Sequence, residues 1–163
     1  MYKSVVDTTE PVVVTLSTAL KRIKDGNSEE TVSQVRDGSK SRKKDLPIAL
    51  FSGVFEGRKD QDLKAHSGLI VLDFDHINVS ESKSLLGTDD YVLACWASPS
   101  GDGLKALINV SHPDKHRDHF RSLQSYFEKQ YGLEVDPSGV NEARACYESY
   151  DPDLVINTTA QPF

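Results

Sequence analysis

The sequence predicts an α+β fold on the order β-α-β-β-α-β, the split βαβ or ferredoxin/RRM-like core, with an N-terminal helical extension. Three features lead to it. The stretch "GLIVLDFDH" (68–76) is a continuous apolar run ending in two carboxylates, the pattern of a buried strand. "YVLACWAS" (91–98) and "LKALINV" (104–110) flank the Ser/Gly turn "SPSGDG" (98–103), as the arms of a hairpin do. Helical stretches at 80–87 and 114–132 alternate with these strands, and "ARACYESY" (143–150) closes the order as a last strand.

Each element has its own local reason. Residues 11–25 form an amphipathic helix in which Leu16, Leu20 and Ile23 recur at helical spacing and Gly26 is the stop. Ser28 starts a second short helix ending near Gly38. Arg36, Lys40, Arg42, Lys43 and Lys44 then make a basic loop against Asp37 alone. "LPIALFSGVF" (46–55) reads as a strand with Pro47 at its start, and 57–66 as a polar connection. The longest helix, 114–132, carries Phe120, Leu123 and Phe127 on one face. The organisation expected is a helical segment and basic loop over 1–45, a core over 46–155, and a tail or start of a linker over 156–163.

Composition sets bounds. The 163 residues are 37% apolar, enough for one core. No apolar run approaches the roughly 18 residues that span a bilayer, and no secretory signal opens the chain. Cys95 and Cys146 are too few and too far apart for a disulfide framework or zinc ribbon, so buried free thiols are expected. A cytoplasmic protein without membrane contact is the expectation. The formal net charge of −6 excludes binding nucleic acid by bulk positive charge.

Strand alternation sorts the side chains. Ile70, Leu72 and Phe74 point toward the helices, with Leu104, Ala106, Ile108 and Val110. Asp73 and Asp75 share the opposite, open side with Val71, and Lys105 and Arg144 join them there. Two acids, one lysine and one arginine then meet on one surface, beside a turn whose N–H groups and hydroxyls can bind phosphate. D-x-D carboxylates are hard ligands for Mg²⁺ or Mn²⁺, and a second ion about 3.5–4 Å away would serve phosphoryl transfer. Asp136, in "EVDPSG", is the acid best placed to complete the set. Each signal has a plainer rival. D-x-D is common at strand ends, "SGDG" is an ordinary hairpin turn, Lys105 could be solvated, and Arg144 could pair with Glu142 or Glu148. Asp136 before Pro137 could be a turn former, and the basic loop a solvated one. Among the histidines, His116 and His119 fit a polar helix face, and His76 adjoins the acid pair.

D-x-D on a strand, S-x-G-x-G with a polar residue on a hairpin, then a late Asp followed by Arg resembles the archaeo-eukaryotic primase or primase-polymerase (Prim-Pol) superfamily. More closely, "LPIALFSGVF", "HSGLIVLDFDHI", "ASPSGDGLKALI" and "NEARACYESYDPDL" resemble the VirE N-terminal, or BT4734-like, domain of mobile-element and phage replication proteins, over about residues 40–155. The resemblance implies a Prim-Pol fold and metal-dependent, template-directed nucleotidyl transfer in DNA replication, with Mg²⁺ or Mn²⁺ as cofactor. It implies Asp73, Asp75 and Asp136 as catalytic metal ligands. It implies Ser98, Ser100, Gly101, Gly103, Lys105 and Arg144 as the nucleotide-binding set. Primases usually carry histidine where Lys105 stands, and lysine is the closer family's pattern. The implied partners are nucleoside triphosphates, a DNA template and primer, and a helicase or C-terminal domain of a longer protein. Arg42, Lys43 and Lys44 are the residues expected to contact nucleic-acid phosphates. Two other functions stay open. One is a non-catalytic nucleotide- or nucleic-acid-binding module, although the stacking aromatics of RNA-recognition sheets are absent. The other is a haloacid-dehalogenase-like phosphatase with Asp73 as nucleophile and Asp75 as acid/base.

Overall fold

A computed structural model describes residues 1–7 and 11–163. Four helices form where the sequence puts apolar residues at helical spacing: α1 (Leu16–Asp25), α2 (Glu29–Arg36), α3 (Val79–Leu86) and α4 (His116–Tyr131). Thr15 caps α1 by accepting from the Thr18 N–H, and Gly26 ends it in the left-handed conformation at φ 80°. Residues 11–15, expected within that helix, precede it; branched Val12, Val13 and Val14 favour extended backbone. The basic loop is a 3-10 turn, Lys40–Asp45.

The described residues hold eight strands, interleaved with the helices: β1 (Ile48–Ala49), β2 (Gly53–Phe55), β3 (Leu63–His66), β4 (Leu69–Phe74), β5 (Val92–Ala97), β6 (Leu104–Asn109), β7 (Cys146–Tyr147) and β8 (Val155–Ile156). They make three small antiparallel sheets: β1-β7, β2-β3, and a four-stranded sheet in the order β4-β6-β5-β8. The architecture is thus mixed α/β. "LPIALFSGVF" is two strands with different partners, and the connection 57–66 contains β3. Gly53 permits the β2-β3 approach, since a Cβ there would sit 2.2 Å from the Ala65 carbonyl.

The helix-facing side of the large sheet holds Ile70, Leu72, Phe74, Leu104, Ala106 and Ile108 against Leu86, Phe120, Leu123 and Phe127. Burying each of the larger side chains, the Ile, Leu and Phe, contributes about 1.5–3 kcal/mol. The other side is not open. Ala19, Leu20 and Ile23 of α1 pack there with Ala49, Phe51 and Cys146 onto Val71, Leu107, Ala94 and Trp96. The physical reason lies in β4: its residues 69–72 are apolar at both parities, and a strand apolar on both faces needs two covers.

The last expected strand also departs from the ferredoxin-like order. Residues 143–150 shrink to β7, which pairs with β1 rather than with β4. Along the free edge of β4, among the described residues, only the Asp136 N–H reaches the Asp73 carbonyl, at 2.9 Å, before Pro137 starts a 3-10 turn, Pro137–Val140. A proline has no N–H to extend a ladder there. The fourth position in the sheet is instead β8, on β5. The stretch 156–163 is not a loose tail either. The Phe163 N–H donates to the Asn109 carbonyl at 2.9 Å, and its ring lies 5.0 Å from that of Tyr91. Both cysteines are free and buried. Among the described residues no helix is long and apolar enough to cross a membrane.

Candidate functional site

Antiparallel register puts Asp73 of β4 directly opposite Lys105 of β6. The Lys105 ammonium donates to Asp73 Oδ1. Arg144, just before β7, donates from Nη2 to Asp73 Oδ2 at 3.2 Å and to Asp136 Oδ2 at 2.9 Å. Its Nη1 reaches Ser138 Oγ at 2.9 Å. Asp136 caps its 3-10 turn, taking the Ser138 N–H at 2.9 Å and the Ser138 hydroxyl at 2.6 Å. Four residues expected at the site, Asp73, Lys105, Asp136 and Arg144, therefore form one ion network. Lys105 does not share an open surface with them; it is buried, 6% exposed, beneath α1 and β7.

The electrostatics follow. Burial opposes the Lys105 charge, but the Asp73 carboxylate it donates to holds the proton and its pKa is raised. Burial also pushes the Cys146 thiol up to about 11, so the sulfur stays neutral and Asp73 is the effective counter-charge. Burial disfavours the Asp136 carboxylate, yet hydrogen bonds from Ser138 and the Arg144 guanidinium hold its pKa below the ordinary value.

Asp75 is different. It lies just past the end of β4, exposed, with no hydrogen bond or ion pair among the described residues. The Ser98–Gly103 hairpin comes against it. A Cβ on Gly103 would meet the Phe74 carbonyl at 2.5 Å and Asp75 Oδ1 at 3.2 Å, so only glycine lets the two segments close. Gly101 turns at φ 81°. The Ser98 hydroxyl is buried and bonded to that of Ser100 at 3.0 Å, leaving Ser100 as the exposed hydroxyl. Arg36 of α2 braces the hairpin, donating to the Ser98 carbonyl at 3.1 Å. His76 bonds Asp102 Oδ2 through Nδ1 at 3.0 Å.

The sequence pattern suits Mg²⁺ or Mn²⁺ in donor chemistry, and an ion taken up there would have to displace the cations that hold these acids. Both Asp73 oxygens and Asp136 Oδ2 are held by Lys105 and Arg144, and no trio of His, Cys, Asp or Glu among the described residues is placed to hold a metal. The remaining expected residues lie on the 3-10 turn after α2. There Arg42 pairs with Asp45 at 3.0 Å and Lys43 lies 5.4 Å from the Tyr147 ring centre, while Lys44 is exposed.

Two features had no signal in the sequence reading. Arg58 and Lys59, in the connection before β3, border an open cleft whose far wall is Arg144. His116, expected on a polar helix face, is buried and meets His66 of β3. Gly68 N–H donates to His66 Nδ1 at 2.9 Å, so His66 Nε2–H donates to His116 Nδ1 at 2.9 Å, leaving His116 Nε2–H buried without a partner. Burial lowers the His116 pKa to about 4. Only a pattern linking residues fifty apart could have announced the pair.

The family model described as BT4734-like, N-terminal domain, matches residues 41–155. No curated protein and no solved structure matches the chain.

Proposed function

The chain belongs to the BT4734-like N-terminal domain family, and from that premise we propose that it is a nucleotidyl-transfer domain of the primase-polymerase (Prim-Pol) kind. In this reading it adds nucleotides to a primer within a replication protein of a mobile element or phage. The observation that carries the reading is Arg144, whose guanidinium joins the strand-end acid Asp73 to the late acid Asp136 beside Lys105. That is the order of chemistry, acid pair, hairpin cation, late acid and arginine, that the resemblance implies for handling a triphosphate.

The residues' own work is electrostatic. Lys105 and Arg144 are the cations that would take up triphosphate charge, Arg144 by a two-pronged fork and Lys105 as a point charge. The exposed Ser100 hydroxyl and hairpin N–H groups would hold a phosphate oxygen beside Asp75. A phosphate competes with Asp73 and Asp136 for the same guanidinium, so binding substrate loosens the acids. The cations on the 3-10 turn would track a nucleic-acid backbone.

A second reading has its own support. Because Asp73 and Asp136 are ion-paired, the domain could bind nucleotide or nucleic acid without turnover. A haloacid-dehalogenase-like phosphatase has less behind it: β4 and β5 each run antiparallel to the β6 between them, and Asp73 is enclosed by cations rather than free to attack.

The test is primer extension with Mn²⁺, labelled deoxynucleotides and a primed template. Extension by the native chain, lost in Asp75→Ala at unchanged melting temperature, supports transfer. Nucleotide binding without extension supports the module, and phosphate release from a generic phosphoester supports the phosphatase. Asp75 is the informative position because among the described residues its side chain makes no hydrogen bond or ion pair whose loss would disturb the fold.

A further inference from the structure

We propose that the cleft between the Arg58–Lys59 loop and the 138–145 segment is a separate phosphate site, which holds the polyphosphate end of a free nucleotide without needing a metal. The inference rests on the nucleotide-handling reading above, and it places the anion on the far side of Arg144 from Asp73 rather than at the hairpin.

The cleft has a volume of about 410 Å³, within the roughly 300–1,000 Å³ range of small-molecule sites. Arg58, Lys59, Ser138, Asn141 and Arg144 line it. Arg58 Nε and Arg144 Nε are both buried and both lack a hydrogen-bond partner. A buried N–H of a charged group left unpaired is costly, and both residues that carry one line this cleft. Arg58 is anchored from its other end, with Nη1 on the Val5 carbonyl at 2.8 Å, and Arg144 by its ion pairs. The donors are therefore held in place before any ligand arrives. Lys59 is exposed and in no ion pair among the described residues.

The one acid on the wall does not cancel this charge. Asp60 accepts from Arg117 at 2.8 Å and from the Ala143 N–H at 3.0 Å. Two guanidinium groups and an ammonium with a hydroxyl and an amide beside them match a polyphosphate, whose oxygens accept several charge-assisted bonds at once. Arg144 also links this site to the acids, since it lines the cleft while its Nη2 holds Asp73 and Asp136.

The experiment is calorimetric titration of the full chain with inorganic pyrophosphate in buffer containing EDTA. Saturable binding is expected. Lys59→Glu should weaken it about ten-fold or more, and Arg58→Gln likewise. Lys24→Glu, the same charge change on the exposed side of α1, should leave it as in the native chain. Because Lys59 supports no buried contact, its variant should melt with the native chain, so a loss of affinity cannot be ascribed to unfolding. Equal affinity in Lys59→Glu and the native chain, or no saturable binding by the native chain, overturns the proposal. Competition completes it. dATP should displace pyrophosphate, and displacement by a single-stranded oligonucleotide without terminal phosphate, with dATP ineffective, overturns the assignment to a free nucleotide. Primer extension is read separately. A chain that binds pyrophosphate but never extends keeps the cleft and loses the transfer reading, and one that extends without binding pyrophosphate does the reverse.

Discussion

Two ion networks lie four residues apart on the segment after the long helix, one at Glu148 and one at Arg144. Glu148 is 4% exposed and takes Arg22 Nε at 2.6 Å, Arg22 Nη2 at 3.0 Å and the Ser28 hydroxyl. It ties α1 and the start of α2 to the chain after β7, and its oxygens are filled. The Arg144 network has the same ingredients but is left incomplete. One guanidinium N–H is buried without an acceptor, a cleft opens beside it, and the acid one residue past β4 is bare. A closed network uses its whole hydrogen-bonding capacity on the fold. An open one keeps donors for something that is not part of the chain, and that contrast separates a structural ion pair from a candidate site.

Asp73→Ala should break the contrast most. It removes the acceptor of a buried ammonium, so about 3–5 kcal/mol of stability should go together with primer extension. Urea denaturation and extension assays read the two losses, and extension at native levels would remove Asp73 from the site. Acid should act next, and in two windows. Folding holds His116 neutral down to about 4 against an ordinary 6.5, so the unfolded chain takes the proton first. Stability should be full above pH 6.5 and fall by at most about 3 kcal/mol toward pH 4. Asp136 has a lowered pKa, so its contribution persists above its ordinary value of 3.8 and is lost only as pH falls below that. Melting curves against pH should show the histidine loss first, and His116→Phe should shrink that step, leaving the part that His66, whose pKa burial also lowers, contributes. Glu148→Ala should cost about 2–3 kcal/mol in melting or urea titrations. It should leave extension per folded molecule intact, and a selective loss of extension would dissolve the distinction between the networks. The smallest effect belongs to the basic 3-10 turn. Replacing Lys43 and Lys44 together with alanine should flatten the slope of log affinity against log salt for duplex DNA by about 1.8.

Much of this was legible in local pattern. Ile70, Leu72 and Phe74 declare the helix-facing side by alternation, and Phe120, Leu123 and Phe127 declare the matching side of α4. Gly103 reads from the sequence as part of a phosphate-binding turn, and only the structure shows the Phe74 carbonyl so close that no Cβ fits there. Alternation put Asp73 and Lys105 on one face, but their direct ion pair is a finding of the structure. The cover over that face did not follow, because Ala19, Leu20 and Ile23 fit any apolar surface and carry no address. Nor did the place of the last strand. Two-residue strands such as β7 and β8 have too little pattern to choose an edge, and tertiary packing chooses for them.

The sequence by itself determined which residues alternate, which helices are amphipathic, and that acids, a hairpin and a late arginine occur in that order. Such properties depend on neighbours a few positions away, where backbone geometry sets the period. Only the tertiary structure decided that α1 roofs the acid face, that His66 meets His116, and that Arg58 and Lys59 stand across a cleft from Arg144. Those contacts close long loops, whose entropic cost grows only slowly with length, so many closures are comparably accessible and the packing of the whole core selects among them.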